Sequence, residues 1–284
     1  MMMEPPSNPS PGVKWTGRTD RGRVRTNNED AFLCLRFDAR EVQYLGKYGE
    51  ASTARADLLF AVCDGLGGAR AGEFASRVAV DKITRLLPKS FKQSASGLTA
   101  GVGDVLAELF DEIHKVLTDL AAGDPDCAGM GTTLSLAWFT PGQMTFAHIG
   151  DSRIYYFPAA GGMKQLTQDD THVGWLFRNG KINEREARSH PGRVSLQKAL
   201  GAGYQFVTPQ VGRVAVEPGD VFVLCTDGVV DGLFDSQIEE LIRSPESGSP
   251  DAAEQIIRAS LAQSGRDNTT VIVAEALREG TVES

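Results

Sequence analysis

Soft metal ligands are scarce in this chain, which has four cysteines and four histidines among 284 residues. Cys34, Cys63, Cys127 and Cys225 form no close pair, which excludes a disulfide framework and a zinc knuckle and fits a reducing compartment. His114 falls in a helical pattern and His148 at a strand end, neither with a partner at metal-ligand spacing, so both read as ordinary structural histidines. Long apolar runs are missing as well. None reaches the roughly 18 residues that span a bilayer, and residues 1–11 lack the basic-then-apolar order of a signal peptide. Positive charge is in deficit, with Lys+Arg 29 against Asp+Glu 37 and a net charge of −8, so the surface repels nucleic acid and anionic lipid. The expectation is a cytoplasmic protein with neither nucleic-acid nor membrane partners.

What is present points to a folded chain rich in turns: 41% of residues are hydrophobic, 23% charged, and 31 are glycine. The glycines cluster in short turn-like groups, which implies many strands. Residues 1–12, with Pro5, Pro6, Pro9 and Pro11, read as a flexible tail, as do residues 277–284. The weakest interior point, 243–250, leaves only about thirty residues after it, too few for a separate core, so 13–276 is expected to form one monomeric domain.

Apolar runs of strand length occur at 58–63, 130–139, 144–149, 153–157, 163–166, 207–216, 221–225 and 269–274, separated by Gly, Pro and Asp. Two segments instead repeat at three and four residues: Ala75, Val78, Ala79, Ile83, Leu86, and Leu98, Val102, Val105, Leu109, Ile113, Val116, Leu120. Both predict long amphipathic helices. Asp235 and Asp251 stand where N-caps of two further helices belong. Strands and helices that do not alternate strictly predict antiparallel sheets covered by helices.

The chemistry-bearing pattern is acidic. Asp64, Asp151 and Asp227 each follow an apolar strand, Asp267 precedes the last strand, and Glu29 and Asp30 precede the run 31–35. Six carboxylates delivered to one rim would repel strongly or stay protonated unless cations sat among them. Hard oxygen ligands without His or Cys select Mg²⁺ or Mn²⁺, and a pair of such ions activates water for phosphoester hydrolysis. Arg25, four residues before Glu29, supplies a guanidinium suited to gripping a phosphate. Asp-Gly is also an ordinary hairpin turn, and Asp231-Gly232 is read as one.

Two rival readings are weaker. Cys34 and Arg40 have the spacing of a cysteine-dependent phosphatase loop, but the intervening Leu-Arg-Phe-Asp-Ala has no glycine, and Phe32/Cys34 alternate as in a strand. Gly65-Leu66-Gly67-Gly68 lacks the acidic residue that a dinucleotide cradle requires at the end of a second strand. A third possibility is a binding module of the same fold without its ions, against which Asp64, Asp227 and Asp267 speak.

Six motifs in order carry a resemblance: Arg25-Thr26-Asn27-Asn28-Glu29-Asp30-Ala31, Val62-Cys63-Asp64-Gly65-Leu66-Gly67-Gly68, Gly129-Met130-Gly131-Thr132-Thr133, Ile149-Gly150-Asp151-Ser152-Arg153, Thr226-Asp227-Gly228 and Arg266-Asp267-Asn268-Thr269-Thr270. The chain resembles the metal-dependent protein serine/threonine phosphatases of type 2C over nearly the whole domain. The resemblance implies an α+β fold, a four-layer α/β/β/α sandwich of two antiparallel sheets flanked by helices. It implies two tightly bound Mn²⁺ or Mg²⁺ ions and a bridging hydroxide that attacks phosphorus, with phosphorylated proteins as substrates and a cognate Ser/Thr kinase as the opposing enzyme. Asp64 would bridge the ions with the Gly65 carbonyl on one, Asp227 and Asp267 would hold the other, Glu29 and Asp30 would bind metal-bound waters, and Arg25 would take the phosphate. Asp151 would hold a third ion with help from Asp227. Residues 167–190 are similar to the family's mobile flap, with Asp170-Thr171 where His-Ser is common. Leu66 replaces a histidine proposed as general acid in many eukaryotic relatives and cannot donate a proton. Trp15, Trp138 and Trp175 read as core or flap anchors, and Trp175 is also a candidate substrate contact.

Overall fold

The computed structural model describes residues 12–95, 101–205, 207–244 and 251–277. The chain opens with strands β1 (Gly12–Asp20), β2 (Asp30–Phe37), β3 (Val42–Tyr44), β4 (Tyr48–Ser52) and β5 (Asp57–Leu66), followed by helices α1 (Ala69–Ala95) and α2 (Val102–Gly123). Strands β6 (Gly131–Thr132), β7 (Leu134–Thr140), β8 (Gln143–Ile149), β9 (Arg153–Phe157) and β10 (Lys164–Gln165) come next. Helices α3 (His172–Arg178) and α4 (Glu184–Ser189) form the flap, which returns through β11 (Leu200–Gly201) to β12 (Gln210–Ala215) and β13 (Val221–Cys225). Helices α5 (Asp227–Gly232), α6 (Asp235–Arg243) and α7 (Ala252–Gln263) precede the final strand β14 (Thr269–Ala276).

All strand pairings are antiparallel, in two sheets. One runs β10-β9-β13-β14-β1-β4; the other runs β11-β6-β5-β7-β8-β12, with β2 on β5 and β3 on β2. Alternation along each strand sends one set of side chains between the sheets, where Trp15, Phe60, Phe139, Phe222 and Ile272 share one core. The opposite faces are covered separately. Ala75, Ala79 and Ile83 of α1 and Leu106, Phe110 and Leu117 of α2 pack on Leu59, Ala61 and Leu136. Val229 of α5, Ile238 of α6 and Ile256 of α7 pack on Val223, Val271 and Tyr155. These layers are the four-layer α/β/β/α sandwich that the motifs implied.

Several boundaries differ from the sequence reading for local reasons. The run 130–139 breaks into β6 and β7 at Thr133, whose Oγ1 accepts a hydrogen bond from the Asp64 N–H at 3.0 Å. Strand β1 is not among the expected strands, yet Val13 and Trp15 are buried and Lys14 exposed in the alternation of a half-buried strand. Gly12 and Leu277, assigned to the tails, close the sheet instead: Gly12 pairs with Ser52, and the Leu277 N–H donates to the Gly12 carbonyl at 2.8 Å. The rest of both tails, and Leu98 of the predicted helix, lie outside the described residues. Asp251 caps α7 by accepting from the Glu254 N–H at 2.7 Å. Asp235 is not a cap, since Phe234 precedes α6 in that position and the Asp235 carboxylate accepts from Tyr155 and Arg153.

Phe222 marks the centre of the inter-sheet core. It is fully buried, meets Phe139 edge-on at 5.2 Å and stacks on Tyr156 at 5.1 Å. Phe222→Ala should lower unfolding stability by about 3–5 kcal/mol in urea titrations, because the surrounding sheets cannot close the cavity.

Candidate active site

The site grows from strand ends. Antiparallel register sets Asp30, at the start of β2, directly opposite Asp64 near the end of β5. Strand β13 leads through Thr226 into α5, whose first residue is Asp227, and β8 leads through Gly150 to Asp151. Asp267 arrives on the loop before β14, and Arg25 and Glu29 on the segment joining β1 to β2. Arg25, Glu29, Asp64, Gly65, Asp151, Asp227 and Asp267 all line one open cleft of about 220 Å³, with Asp30 behind Asp64.

Close backbone approach makes this convergence possible. A Cβ on Gly65 would stand 2.0 Å from the Gly72 carbonyl oxygen and 2.8 Å from that of Glu29, so only glycine lets β5, α1 and the Glu29 segment meet. A Cβ on Gly228 would fall 1.9 Å from the Asn268 carbonyl oxygen, so glycine also permits the contact between α5 and the Asp267 loop. Small polar side chains then fix the frame. Thr226 Oγ1 donates to Asp30 Oδ2 at 2.8 Å and accepts from the Thr270 N–H, while Thr132 Oγ1 donates to the Asp64 carbonyl at 2.9 Å. Buried Asn268 accepts from the Glu29 N–H at 2.7 Å and donates to the carbonyls of Arg21 and Asn27. His148 is part of this frame too. Its Nε2–H donates to the Gly150 carbonyl at 3.1 Å, which leaves Nδ1 to accept from the Ser135 hydroxyl at 2.8 Å. His114 Nδ1 accepts from the Gly201 N–H and ties α2 to β11.

Crowding shows in the protonation of these groups. Burial, reinforced by Asp267 and Glu29, pushes the Asp30 carboxyl up to about 7. Burial together with Asp169 pushes Asp151 up to about 7. Asp64 and Asp227 are held well above the usual carboxylate range, first by burial and then by Asp30 and Asp151 respectively. Two buried oxygens, Asp30 Oδ1 and Asp227 Oδ1, have no hydrogen-bond partner among the described residues. Such acceptors are costly without a cation or donor, and the donor set is all hard oxygen, as Mg²⁺ and Mn²⁺ require. Among the described residues no three His, Cys, Asp or Glu side chains are gathered tightly enough to enclose an ion by themselves. Hard oxygen donors of this kind suit ions that keep several waters and are held by a few carboxylates. Arg25 Nη2 lies 2.6 Å from Asp267 Oδ2, so the two residues expected on phosphate and on metal hold each other here.

Beside the cleft lies a second cavity of about 70 Å³ under the flap, which Asp151 and Asp227 also line. Arg153 there reaches Asp169 at 2.8 Å and Asp235 at 3.3 Å. Arg193 pairs with Asp231, and Arg188 donates to the Asp231 carbonyl at 2.7 Å while its guanidinium covers the Phe234 ring at 3.9 Å. The hairpin reading of Asp231-Gly232 is thus wrong: both residues close helix α5, and Asp231 anchors the flap. No local signal separated this Asp-Gly from a turn, because its partners Arg188 and Arg193 are about forty residues away in sequence. Asp170 and Thr171 both have structural partners. The Asp170 carboxylate accepts from the Gly150 N–H and pairs with Lys198, and Thr171 caps α3. Trp175 is exposed, stacks on His172 and does not line the cleft, whereas Trp15 and Trp138 are core anchors. Cys34 is a buried strand residue whose thiol burial pushes up to about 12, which removes the thiolate chemistry of the rival reading.

Hard oxygen donors gathered beside an arginine are the arrangement that metal-dependent phosphoester hydrolysis calls for. Residues 47–270 match the family model described as Protein phosphatase 2C. The chain is 35% identical over 268 residues to the serine/threonine protein phosphatase PstP of Mycobacterium tuberculosis, covering 93% of this chain and 45% of PstP. It thus spans about half the length of that relative. It is 34% identical to the serine/threonine phosphatase Stp of Listeria innocua, covering 91% of this chain and 94% of Stp. The crystal structure of the PstP catalytic domain with two manganese ions superimposes with a TM-score of 0.73 at 30% identity, covering 95% of this chain and 100% of that one. The chain belongs to the protein phosphatase 2C family.

A carboxyl raised from its ordinary 3.8 to about 7, as in Asp30 and Asp151, adds stability at low pH and loses it as pH rises through the folded-state value. In EDTA, this contribution to melting temperature should therefore fall between pH 4 and 7. Asp30→Asn should flatten the fall, and Mn²⁺ should offset it at the upper end. Melting curves across that range check this; a slope that neither change alters would count against a cation site.

Proposed function

We propose that the protein dephosphorylates phosphoserine and phosphothreonine in proteins with Mn²⁺ or Mg²⁺, as a cytoplasmic monomer opposing a Ser/Thr kinase. The observation that carries this reading is the gathering of five carboxylates, the Gly65 backbone and Arg25 on one cleft, with buried carboxylate oxygens left unpartnered. Among the described residues no helix is long and apolar enough to cross a membrane. Asp64 and the Gly65 carbonyl would hold one ion, and Asp64, Asp227 and Asp267 the other. Glu29 and Asp30 would orient ligated waters, and Asp151 with Asp227 would hold a third ion. Held by these residues, such ions would supply a lowered water pKa and charge neutralisation for the phosphate.

The chain's own residues supply the rest. Arg25, nearly half exposed at the cleft, offers a planar fork that binds two phosphate oxygens and orients the ester for in-line attack. Leu66 lines the same cleft and offers no proton, so the leaving serine or threonine takes its proton from solvent within the site. Cys34, buried between the sheets, forms no covalent intermediate.

Hydrolysis of p-nitrophenyl phosphate should disappear on chelation and return with Mn²⁺. Asp64→Asn and Asp227→Asn should each reduce it at least 100-fold, roughly the loss of about 2.7 kcal/mol of transition-state stabilisation. Cys34→Ser should change it little; abolition by that substitution with chelation harmless would overturn the reading. Arg25→Ala should raise KM about tenfold or more, since a charged hydrogen-bonded fork contributes roughly 1.5–3 kcal/mol. Calorimetry with Mn²⁺ should show metal binding retained in that variant, and lost metal binding with normal phosphate affinity would make Arg25 purely structural.

A further inference from the structure

We propose that Val194, Leu196 and Leu66 form an apolar wall of the catalytic cleft that selects substrates with an apolar side chain beside the phosphorylated Ser or Thr; this rests on the phosphatase reading above. All three residues line the cleft that holds Arg25 and the carboxylates. Val194 is 62% exposed. Other large exposed apolar residues, such as Val24, Tyr44, Tyr48 and Trp175, stand outside that lining. Single exposed apolar residues are common on protein surfaces. One beside two other apolar side chains, in a cleft otherwise lined by charge and glycine, calls for a partner.

The wall is held in place rather than left on a loose loop. Arg193, the residue before Val194, is paired with Asp231. Leu196 forms a bridge with Thr171, and its carbonyl accepts from the Tyr204 hydroxyl at 2.7 Å. The Gln197 N–H donates to the Asp170 carbonyl at 2.7 Å. Fixed backbone lowers the ordering cost when a ligand covers Val194. Open space adjoins the wall at Gly68, two residues after Leu66, where a Cβ would meet nothing within 4 Å.

Phosphate bound at Arg25 therefore brings the substrate backbone past this wall. Successive residues of an extended peptide are about 3.3 Å apart, so a residue flanking the phosphoresidue cannot avoid the rim of so small a cleft. An apolar flank covers Val194 and Leu196. An amide flank loses that burial and must be desolvated against them. An acidic flank also meets the carboxylates.

The test compares two phosphothreonine peptides, identical except for Leu or Gln at both positions flanking the phosphothreonine, with Mn²⁺ present. The Leu peptide should have a kcat/KM about three- to tenfold higher, in line with partial burial of one aliphatic side chain. Val194→Ser, at an exposed position with little packing to lose, should remove most of that preference. Its p-nitrophenyl phosphate turnover serves as the reference, because damage to the metal site lowers all three substrates together. Equal kcat/KM for the two peptides in the unmodified protein, or an undiminished preference in Val194→Ser, would overturn the wall. Absence of Mn²⁺-dependent p-nitrophenyl phosphate turnover in the unmodified protein would instead overturn the phosphatase reading on which it rests.

Discussion

Repulsion among carboxylates is the constraint around which this protein is built. Asp30 and Asp64 face each other across an antiparallel pair, where like charges destabilise a sheet. Burial, reinforced by Asp267 and Glu29 beside Asp30 and by Asp169 beside Asp151, pushes both of those carboxyls up to about 7, and Asp227 and Asp267 crowd the same rim. A loose scaffold would relieve such crowding by moving the groups apart. Here each is mounted at or beside the end of a strand whose interior is largely buried, most completely the run from Leu58 to Cys63 in β5. The hydrophobic sandwich therefore serves the site in a specific sense: it opposes the separation that electrostatics favours until cations arrive.

Hydroxyl and amide side chains show how that opposition is distributed. Thr226 links the β13 end to Asp30, Thr133 and Thr132 bracket Asp64, and Asn268 gathers three backbone positions of the segment that carries Arg25 and Glu29. None of these side chains carries the charge that chemistry needs. Each satisfies a buried backbone or carboxylate group that would otherwise be free to move. Removing one would loosen a carboxylate without altering the list of apparent ligands, so the site is larger than its charged residues.

Much of this was legible in the sequence because the relevant signals are local. Apolar runs ending in Asp64, Asp151 and Asp227 announce strand ends, and the 3.6-residue rhythm from Val102 to Leu120 announces α2. The cleft membership of Arg25, Glu29, Asp64, Gly65, Asp151, Asp227 and Asp267 follows from motif order together with family resemblance. What stayed hidden depends on long-range partners. Strand β1 alternates clearly, yet its importance comes from pairing with β14, over two hundred residues away, and with β4. Asp231 looks like any Asp-Gly turn until Arg193 is seen to meet it. Likewise, nothing in the spacing of Arg25 and Asp267 indicates that they pair.

The Arg193–Asp231 pair has a mechanical consequence for the cleft. Asp231 lies four residues after Asp227 on α5, so both carboxylates project from one short helix. Arg188 grips the same turn through the Asp231 carbonyl, and Arg153 ties Asp169, at the root of the flap, to Asp235 at the start of α6. The segment 167–193 and Asp227 are therefore joined through one element by charge-assisted contacts that are largely shielded from solvent, where screening is weak. Because Val194 follows Arg193 directly, the same attachment places the apolar rim of the cleft. The proposed apolar rim of the cleft and the carboxylates of α5 therefore share one support, the pair of Arg193 and Asp231.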